Sequence, residues 1–515
     1  MSNGNRAIVI GSGLGGLAAA IRLRARGWQV EVHEAMDQPG GRAAVFHRDG
    51  FTYDAGPTVV TAPYLFEELF ELVGRDMRDY VELVPVDPFY RVMFPDGESF
   101  DYVGDEERLL AQIERFNPRD VEGYRRLVQH IEKIFDIGYT QLADAPFQRL
   151  TDMLRVAPDM LRLQNYRSVY GLVSKYIKDE RLRQVFTFQP LLIGGNPFDT
   201  SSIYTLIHWL ERKWGVHFAK GGTTSIVHGM VRLLDELGVK VHTSSPVARI
   251  NVEQGRTTGI TLERGETIAA DLVVSNGDPS WVYENMIAPE HRRKHTDRSI
   301  ARKKQSMSLF VAYFGTNRTY PDLAHHSIIL GPRYKGLLND IFNRKVLADD
   351  FSLYLHAPTR TDASLAPPGH ECFYVLSPVP NELSGVDWET QADEYMDRIL
   401  TFLDKTHLPG LKEHLVSSFS VDPRYFSGTL RSRHGAAFGI QPILRQSAYF
   451  RYHNKCDDIE GLYMVGASTH PGAGMPGVLC SAKVLERVLP DLDASAQVPV
   501  PGVRVGARVA SDAAE

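Results

Sequence analysis

Two glycine clusters at opposite ends of the chain hold the residue types whose spacing speaks most directly to chemistry. Gly11-Ser12-Gly13-Leu14-Gly15-Gly16 fits the pattern G-x-G-x-x-G. In such a turn the first glycine permits the tight bend, the second lets a pyrophosphate approach the backbone, and the third lets helix and strand pack closely. Glu34 follows Gly11 by 23 residues, near the spacing of an acid that hydrogen-bonds a ribose hydroxyl. An acid there argues against a 2′-phosphate, so NADP is not expected. The second cluster runs from Gly466 to Gly477, between the apolar residues Tyr463-Met464-Val465 and a helix-compatible segment, Val478 to Leu489. A strand–loop–helix unit of this kind presents backbone N–H groups and a positive helix end to a flat or anionic ligand.

The elements that must hold these turns are legible in the apolar periodicity. Ala7 to Ile10 reads as a strand, Leu17 to Arg26 as a helix ending at Gly27, and Gln29 to His33 as a second strand that finishes on Glu34. Gly40-Gly41-Arg42 and Phe51 to Thr58 return the chain to the phosphate side, where Arg42 is expected to make a charge-assisted contact with pyrophosphate. From Asp105 to about Lys220 the pattern turns helical. Asn117-Pro118 is a helix start, and Val121, Tyr124, Leu127, Val128, Ile131 and Ile134 share one face beyond it. Leu150 to Tyr176 mixes apolar residues with many Arg and Lys, which suits either a core-facing helix with a solvated back or a surface lying in lipid headgroups. A strand-rich block follows from Val239 to Gly277, then a mixed region with strand-like runs at Ser308 to Gly315, Phe351 to His356 and Cys372 to Ser377.

Bulk composition narrows the class. At 515 residues, with 43 % hydrophobic and 23 % charged content, the chain has the make-up of a globular protein of two or three domains. A net charge of −6 and a pI near 6.3 leave no basic excess for nucleic acid, so none is expected as a partner. Cys372, Cys456 and Cys480 are far apart and lack metal-ligand spacing, as plain thiols in a reducing cytosol would be, and no metal is expected. The first strand begins almost at the N-terminus, so no signal peptide is expected, and no run approaches the roughly 18 apolar residues of a membrane span.

Gly11 to Gly16, Glu34, Gly40-Gly41-Arg42 and the Gly466 to Gly477 loop together resemble the FAD-dependent amine oxidases and their relatives. Within that group the chain is most similar to the bacterial-type carotenoid desaturases that act on phytoene. Val465-Gly466-Ala467-Ser468-Thr469-His470-Pro471-Gly472-Ala473-Gly474, Asn196 to Tyr204, Trp214-Gly215-Val216 and Phe351 to Pro358 carry this narrower likeness, which runs from about residue 5 to 490. The resemblance implies an α/β fold with a Rossmann-like FAD-binding domain (1–85, 221–285 and 455–492), a mixed-sheet substrate domain (86–102 and 286–454) and a helical insertion (103–220) suited to a membrane surface. Residues 493–515 read as a disordered tail.

Non-covalent FAD is the implied cofactor. By position, its adenosine end lies on Gly11, Gly13, Gly15, Gly16 and Glu34, with Gly41 and Arg42 nearby and the backbone of Val247 at the adenine. Gly56, Pro57 and Thr58, with the run Gly474, Met475 to Val478, are expected beside the isoalloxazine, and Gly466 is expected to bind the cofactor as well. One departure is that Ala467 stands where many flavoproteins carry an Asp that binds ribityl and phosphate hydroxyls, so that contact must be made otherwise. The implied reaction is successive dehydrogenation of phytoene and partly desaturated carotenoids to neurosporene or lycopene, with hydride passing to flavin N5 before a proton is lost. Asp152 and Arg155, one helical turn apart, are the expected catalytic pair, an Asp kept charged by an Arg; the same spacing suits an ion pair on a helix face. His470 is a rival, and aromatic residues near 186–188, 310–314 and 351–354 are candidate tunnel walls. A substrate this apolar requires a cytoplasmic enzyme held peripherally on the membrane lipid surface, with a quinone or oxygen as electron acceptor. The alternatives are a related flavin oxidase acting on an amine, porphyrinogen or modified carotenoid, or a non-enzymatic isoprenoid escort.

Overall fold

The computed structural model describes residues 5–492 and 496–500. A five-stranded parallel sheet is assembled from distant parts of the chain, in the order 462–464, 272–275, 6–10, 29–33, 240–242. Register pairs Val9 with both Val32 and Val274, and Val274 with Tyr463. The helices Leu14–Ala25 and Thr224–Glu236 cover one face, and a three-stranded antiparallel sheet, 247–253, 256–262 and 267–269, covers the other, where Ile250, Ile260 and Leu262 cluster with Ile8 and Val273. The helix Leu14–Ala25 contributes Ala18, Ala19 and Ala20 to the packing, all fully buried, and their small side chains let it lie close to the sheet. This helix starts three residues earlier than the periodicity suggests, because Gly13 in extended conformation serves as its N-cap and Gly15 and Gly16 join its first turn.

The helix Met475–Val488 packs beside Leu14–Ala25, so the first and last helices of the fold are neighbours. Buried Arg22 joins them: its guanidinium lies 2.7 Å from Glu486 and 3.2 Å from Glu68 of the helix Tyr64–Glu71. Residues 496–500 run along the same region. The Val498 N–H donates to Gly27 O (2.8 Å), Arg24 donates to Val498 O (2.9 Å) and to Pro499 O, and Val500 is buried. The expectation of a disordered tail therefore fails for this stretch, because buried Arg24 needs those carbonyls as acceptors. Residues 493–495 and 501–515 lie outside the described residues.

A seven-stranded mixed sheet forms the second layer, ordered 415–421, 308–316, 371–379, 353–356, 326–329, 90–93, 99–102, antiparallel except where 326–329 meets 90–93. The strand Ser308–Thr316 is buried along its whole length, and alternation assigns its side chains to two cores. Phe310, Ala312 and Phe314 pack under the helix Trp388–Thr406 against Trp388, Tyr395 and Ile399. Leu309, Val311 and Tyr313 face the other way, into a cavity shared with the parallel-sheet half.

The region between residues 103 and 220 is helical. Asp120–Phe135 buries Tyr124, Leu127, Ile131 and Ile134, while Val121 and Val128 of the expected face are only partly covered. Leu150–Arg162 buries none of its residues, whereas Val169–Tyr176 buries Val169, Leu172 and Val173. Leu206–Trp214 then brings His208, Leu210 and Glu211 inside. Cys372, Cys456 and Cys480 are buried free thiols. No helix of the described residues is long and apolar enough to cross a membrane.

Candidate active site

The two glycine clusters meet. A Cβ on Gly16 would stand 2.0 Å from Gly11 O, so backbone approach alone requires glycine there, while one on Gly15 would stand 2.6 Å from the Asn276 side-chain oxygen and 3.4 Å from Gly466. Glu34 is buried and fixes the turn: one carboxylate oxygen accepts from Ser12 N (2.7 Å) and Ser12 Oγ (2.8 Å), the other from Met36 N (2.9 Å). A carboxylate has about four acceptor sites, so Glu34 keeps capacity for a ribose hydroxyl. Gly41 lies against Gly13, and a Cβ on Gly56 would strike Arg42 O at 2.0 Å.

Arg42 departs from expectation. Its Nε donates to Ala437 O (2.7 Å) and its Nη2 to Ser432 Oγ (3.2 Å), so two of its three nitrogens tie the loop to the 430s segment rather than aiming at a phosphate. A buried guanidinium takes acceptors wherever they are nearest, and here the protein supplies them. Asn276 is the polar side chain that sequence reasoning missed. It ends the strand Leu272–Ser275, lines the cavity, and lies close enough that a Cβ on Gly13, Gly15 or Gly466 would come within 2.6–2.9 Å of its amide. Ala467, where the resemblance leads one to look for a hydroxyl-binding group, lines the same cavity.

The C-terminal loop is pinned from behind by residues without a local sequence signal. Arg451, buried, donates to Thr469 O (2.9 Å) and Ala467 O (2.6 Å). Asn454 donates to Met464 O and Ser481 O, and Ser481 Oγ accepts from Gly466 N (2.8 Å). Gly474, at φ 91°, caps Met475–Val488, so this helix begins three residues earlier than expected, with Pro476 in its first turn. Its free N–H groups face the cavity, where they suit negative charge.

The cavity of about 470 Å³ extends from Gly11, Glu34 and Val247, past Gly56, Pro57, Thr58 and Gly474 to Val478, onto the mixed sheet. Its far end is aliphatic and aromatic, walled by Phe188, Leu309, Val311, Ile328, Leu338 and Leu376 among others. Of the expected tunnel aromatics, Phe188, Tyr313 and Tyr354 line it; Phe310 and Phe314 do not, since strand alternation turns them to the opposite core. Thr58 Oγ1 meets Tyr354 OH (2.9 Å) and Tyr374 OH (3.0 Å), and Tyr354 OH meets Nδ1 of His326 (2.7 Å). His325, His326 and His356 are packed together behind this wall, and burial holds all three imidazoles well below their ordinary pKa.

The expected catalytic pair is not here. Asp152 and Arg155 stand on Leu150–Arg162 outside the cavity, Arg155 exposed, and they form no ion pair with each other. Asp152 instead accepts from Arg149 N (2.9 Å) and caps its own helix, a local bond that outcompetes an inward pose. His470 also points elsewhere: its Nε2 meets Leu142 O (3.0 Å), its ring packs edge-on to Phe147, and burial lowers its pKa to about 4. Besides Glu34 in the nucleotide turn, the acid that reaches the cavity is Glu211, fully buried, with Tyr90 OH donating to Oε1 at 2.8 Å.

A nucleotide turn on a parallel sheet, closed by a second glycine loop and facing an apolar chamber floored by a mixed sheet, is the architecture of a flavin-dependent oxidoreductase. Residues 14–483 match the model of the flavin containing amine oxidoreductase family, and the chain belongs to that family. It is 50 % identical over 479 residues to a lycopene-forming phytoene desaturase of Pseudescherichia vulneris, covering 93 % of this chain and 97 % of that protein. It is 42 % identical over 511 residues to a neurosporene-forming phytoene desaturase of Cereibacter sphaeroides, covering 98 % of each. Among solved structures, an oxidoreductase from Methanosarcina mazei superposes with a TM-score of 0.62 at 16 % identity, covering 94 % of this chain and all of that one, which shows the shared fold. FAD is the cofactor. The cradle fits it: Gly11, Gly13, Gly41 and Gly466 present bare backbone to the cavity, Glu34 keeps acceptor capacity, and the N-termini of Leu14–Ala25 and Met475–Val488 both open on it.

Proposed function

We propose that this chain is an FAD-dependent desaturase that takes phytoene through successive dehydrogenations to neurosporene or lycopene. The observation that carries this reading is the continuity of one cavity from a nucleotide cradle into a long apolar chamber. The far walls are Leu, Ile, Val, Phe and Tyr almost throughout, with Glu211 the one carboxylate among them, a surface suited to a long hydrocarbon rather than to a small polar amine.

FAD supplies the hydride acceptor that no side chain can provide. The chain's own residues perform the remaining tasks. Leu309, Val311, Leu338 and Leu376 exclude water from the polyene, which protects a cationic carbon from hydroxide. Tyr354 and Tyr374, locked to Thr58, fix the wall next to Gly56 and Pro57, so the substrate's approach is set by side chains that cannot rotate freely.

Delivery of such a substrate supports a peripheral position on the cytoplasmic face of a membrane. Leu150, Leu154 and Leu161 are more than half exposed and share one face of Leu150–Arg162, with Tyr166 just beyond it. Phe450 and Leu444 are exposed too, and the turn Ala448–Phe450 packs on that helix. Arg149, Arg155 and Arg162 flank the ridge and suit anionic headgroups. The stretch just before this helix, through Gly138, Tyr139 and Ala143, forms part of the cavity wall. A membrane quinone or oxygen is the acceptor this setting favours. Gly194 and Gly195 offer no second nucleotide turn, since they pack against Phe438 and Pro442.

The test is product analysis in cells that accumulate phytoene and express this chain. Neurosporene or lycopene is expected; unchanged phytoene, with the protein purified yellow and flavin-loaded, overturns the reading.

A further inference from the structure

A cavity that holds a hydrocarbon needs no carboxylate, yet one is built into its apolar end. Glu211 is fully buried on Leu206–Trp214 and takes part in no ion pair among the described residues. Its Oε1 accepts from Tyr90 OH at 2.8 Å, while Oε2 has no hydrogen-bond partner among them. Packing does not require the acid, because Gln or Leu has the volume to fill the place. A buried polar group left partly unsatisfied calls for an explanation, and a functional role is one.

The surroundings fix the carboxylate without neutralising it. Tyr90 packs edge-on to Phe188 of the cavity wall, 5.1 Å between ring centroids, and its ring lies 5.8 Å from His326. His326 leads through Tyr354 to Thr58, beside the glycines expected at the flavin. Tyr102 and Gln189 flank Glu211. His208, one turn earlier on the same helix, is occupied by Tyr102 OH (2.9 Å) and Tyr124 OH (3.0 Å). Arg212, the next residue, acts on Tyr102 and Tyr124 rather than pairing with the acid.

Resting on the desaturase reading, we propose that Glu211 is a catalytic residue: its free Oε2 stabilises the allylic cation and accepts the proton that completes each double bond. The balance is as follows. One C–H bond breaks and its hydrogen leaves with the electron pair to bound FAD as oxidant. The neighbouring C–H then breaks, its electron pair becomes the new C=C bond, and its proton passes to Oε2. The substrate loses two electrons and two hydrogens, and Glu211 ends neutral. Tyr90 is a positioning residue, holding Oε1 and leaving Oε2 without a partner among the described residues. Burial raises the carboxyl to about 7, so near neutrality it exists in both forms, taking a proton from carbon and releasing it between rounds. The ionised form is the base, so turnover is lost as pH falls through that range.

The test uses flavin-loaded wild type, Glu211→Gln and Glu211→Asp. Single-turnover flavin reduction by phytoene in phosphatidylcholine liposomes is expected to slow about 10²–10⁴-fold in E211Q, with partial rescue in E211D. Tyr90→Phe is expected to shift the acid limb of the wild-type pH profile without comparable loss. A second readout needs no turnover: a polyene carrying a dialkylammonium at the cation position is expected to bind wild type at least about tenfold more tightly than its neutral isostere, a preference absent in E211Q. E211Q reducing its flavin within threefold of wild type, or retaining the ammonium preference, overturns the proposal. Wild type that leaves phytoene unchanged overturns the desaturase reading instead, and the ammonium comparison then still decides whether Glu211 holds charge toward the cavity.

Discussion

A carboxylate in an oily chamber weakens the fold that contains it. Burial moves Glu211 from an ordinary 4.5 up to about 7, so the folded chain holds this proton more tightly than the unfolded chain does. The penalty is therefore absent below the unfolded value and grows as pH rises, levelling off above the folded value at about 3 kcal/mol. Glu211→Gln should raise stability by about 1–3 kcal/mol at pH 8 and by much less at pH 5. Urea unfolding at the two pH values checks this, and equal gains at both would contradict it. Glycine at position 16 makes the opposite case, where one methyl group is too much. A Cβ there meets Gly11 O at 2.0 Å, a backbone atom that cannot swing aside. Gly16→Ala should fold but purify with about a tenth or less of the wild-type flavin, read from absorbance near the flavin maximum.

Elements distant in sequence make the cofactor cradle, and one arginine helps hold them. Arg22 is 2 % exposed and faces two carboxylates that are each about one-third exposed, Glu68 at 30 % and Glu486 at 33 %. Burial alone would raise the Glu68 carboxyl, but Arg22 and Lys483 outweigh it and hold the pKa low. Arg22→Met should cost about 2 kcal/mol, a figure reduced for the exposure of the partners, and should loosen flavin retention as the C-terminal helix frees itself. A melting temperature unchanged by this substitution would show that sheet pairing alone suffices. The glycine turns and parallel strands were legible in the sequence because their geometry demands particular residues at particular places. The site beyond them was not. Asp152 and Arg155 are spaced to meet on a helix, but spacing does not say which face points inward. Glu211 sits in Glu211-Arg212-Lys213, which reads as a solvated run, and the partner that marks it, Tyr90, is 121 residues away. One local signal was available: Glu211 falls four residues after Ile207 and three before Trp214, on the apolar stripe of its helix. Asn276 and Arg451 carry no pattern at all, since Asn276 gains its place only when Gly13, Gly15 and Gly466 close around it, and Arg451 acts on the carbonyls of Ala467 and Thr469.

The molecule as a whole has an oily ridge on its outside and an oily chamber within, joined by the segment before Leu150. If the ridge is the lipid contact, Leu150→Ser, Leu154→Ser and Leu161→Ser together should lower liposome co-sedimentation about tenfold or more. Flavin absorbance and melting temperature should hold, because all three side chains are exposed. Undiminished sedimentation would move the lipid contact elsewhere. The strap formed by residues 496–500 has a practical consequence for anyone who shortens or labels this protein. Removing everything after Leu492 strips Arg24 of two of its carbonyl acceptors and leaves its guanidinium donating only to Leu237 O within the cofactor half. A trimmed version made to ease crystallisation should be less heat-resistant than the full chain, whereas a reporter appended after Glu515 leaves the brace in place.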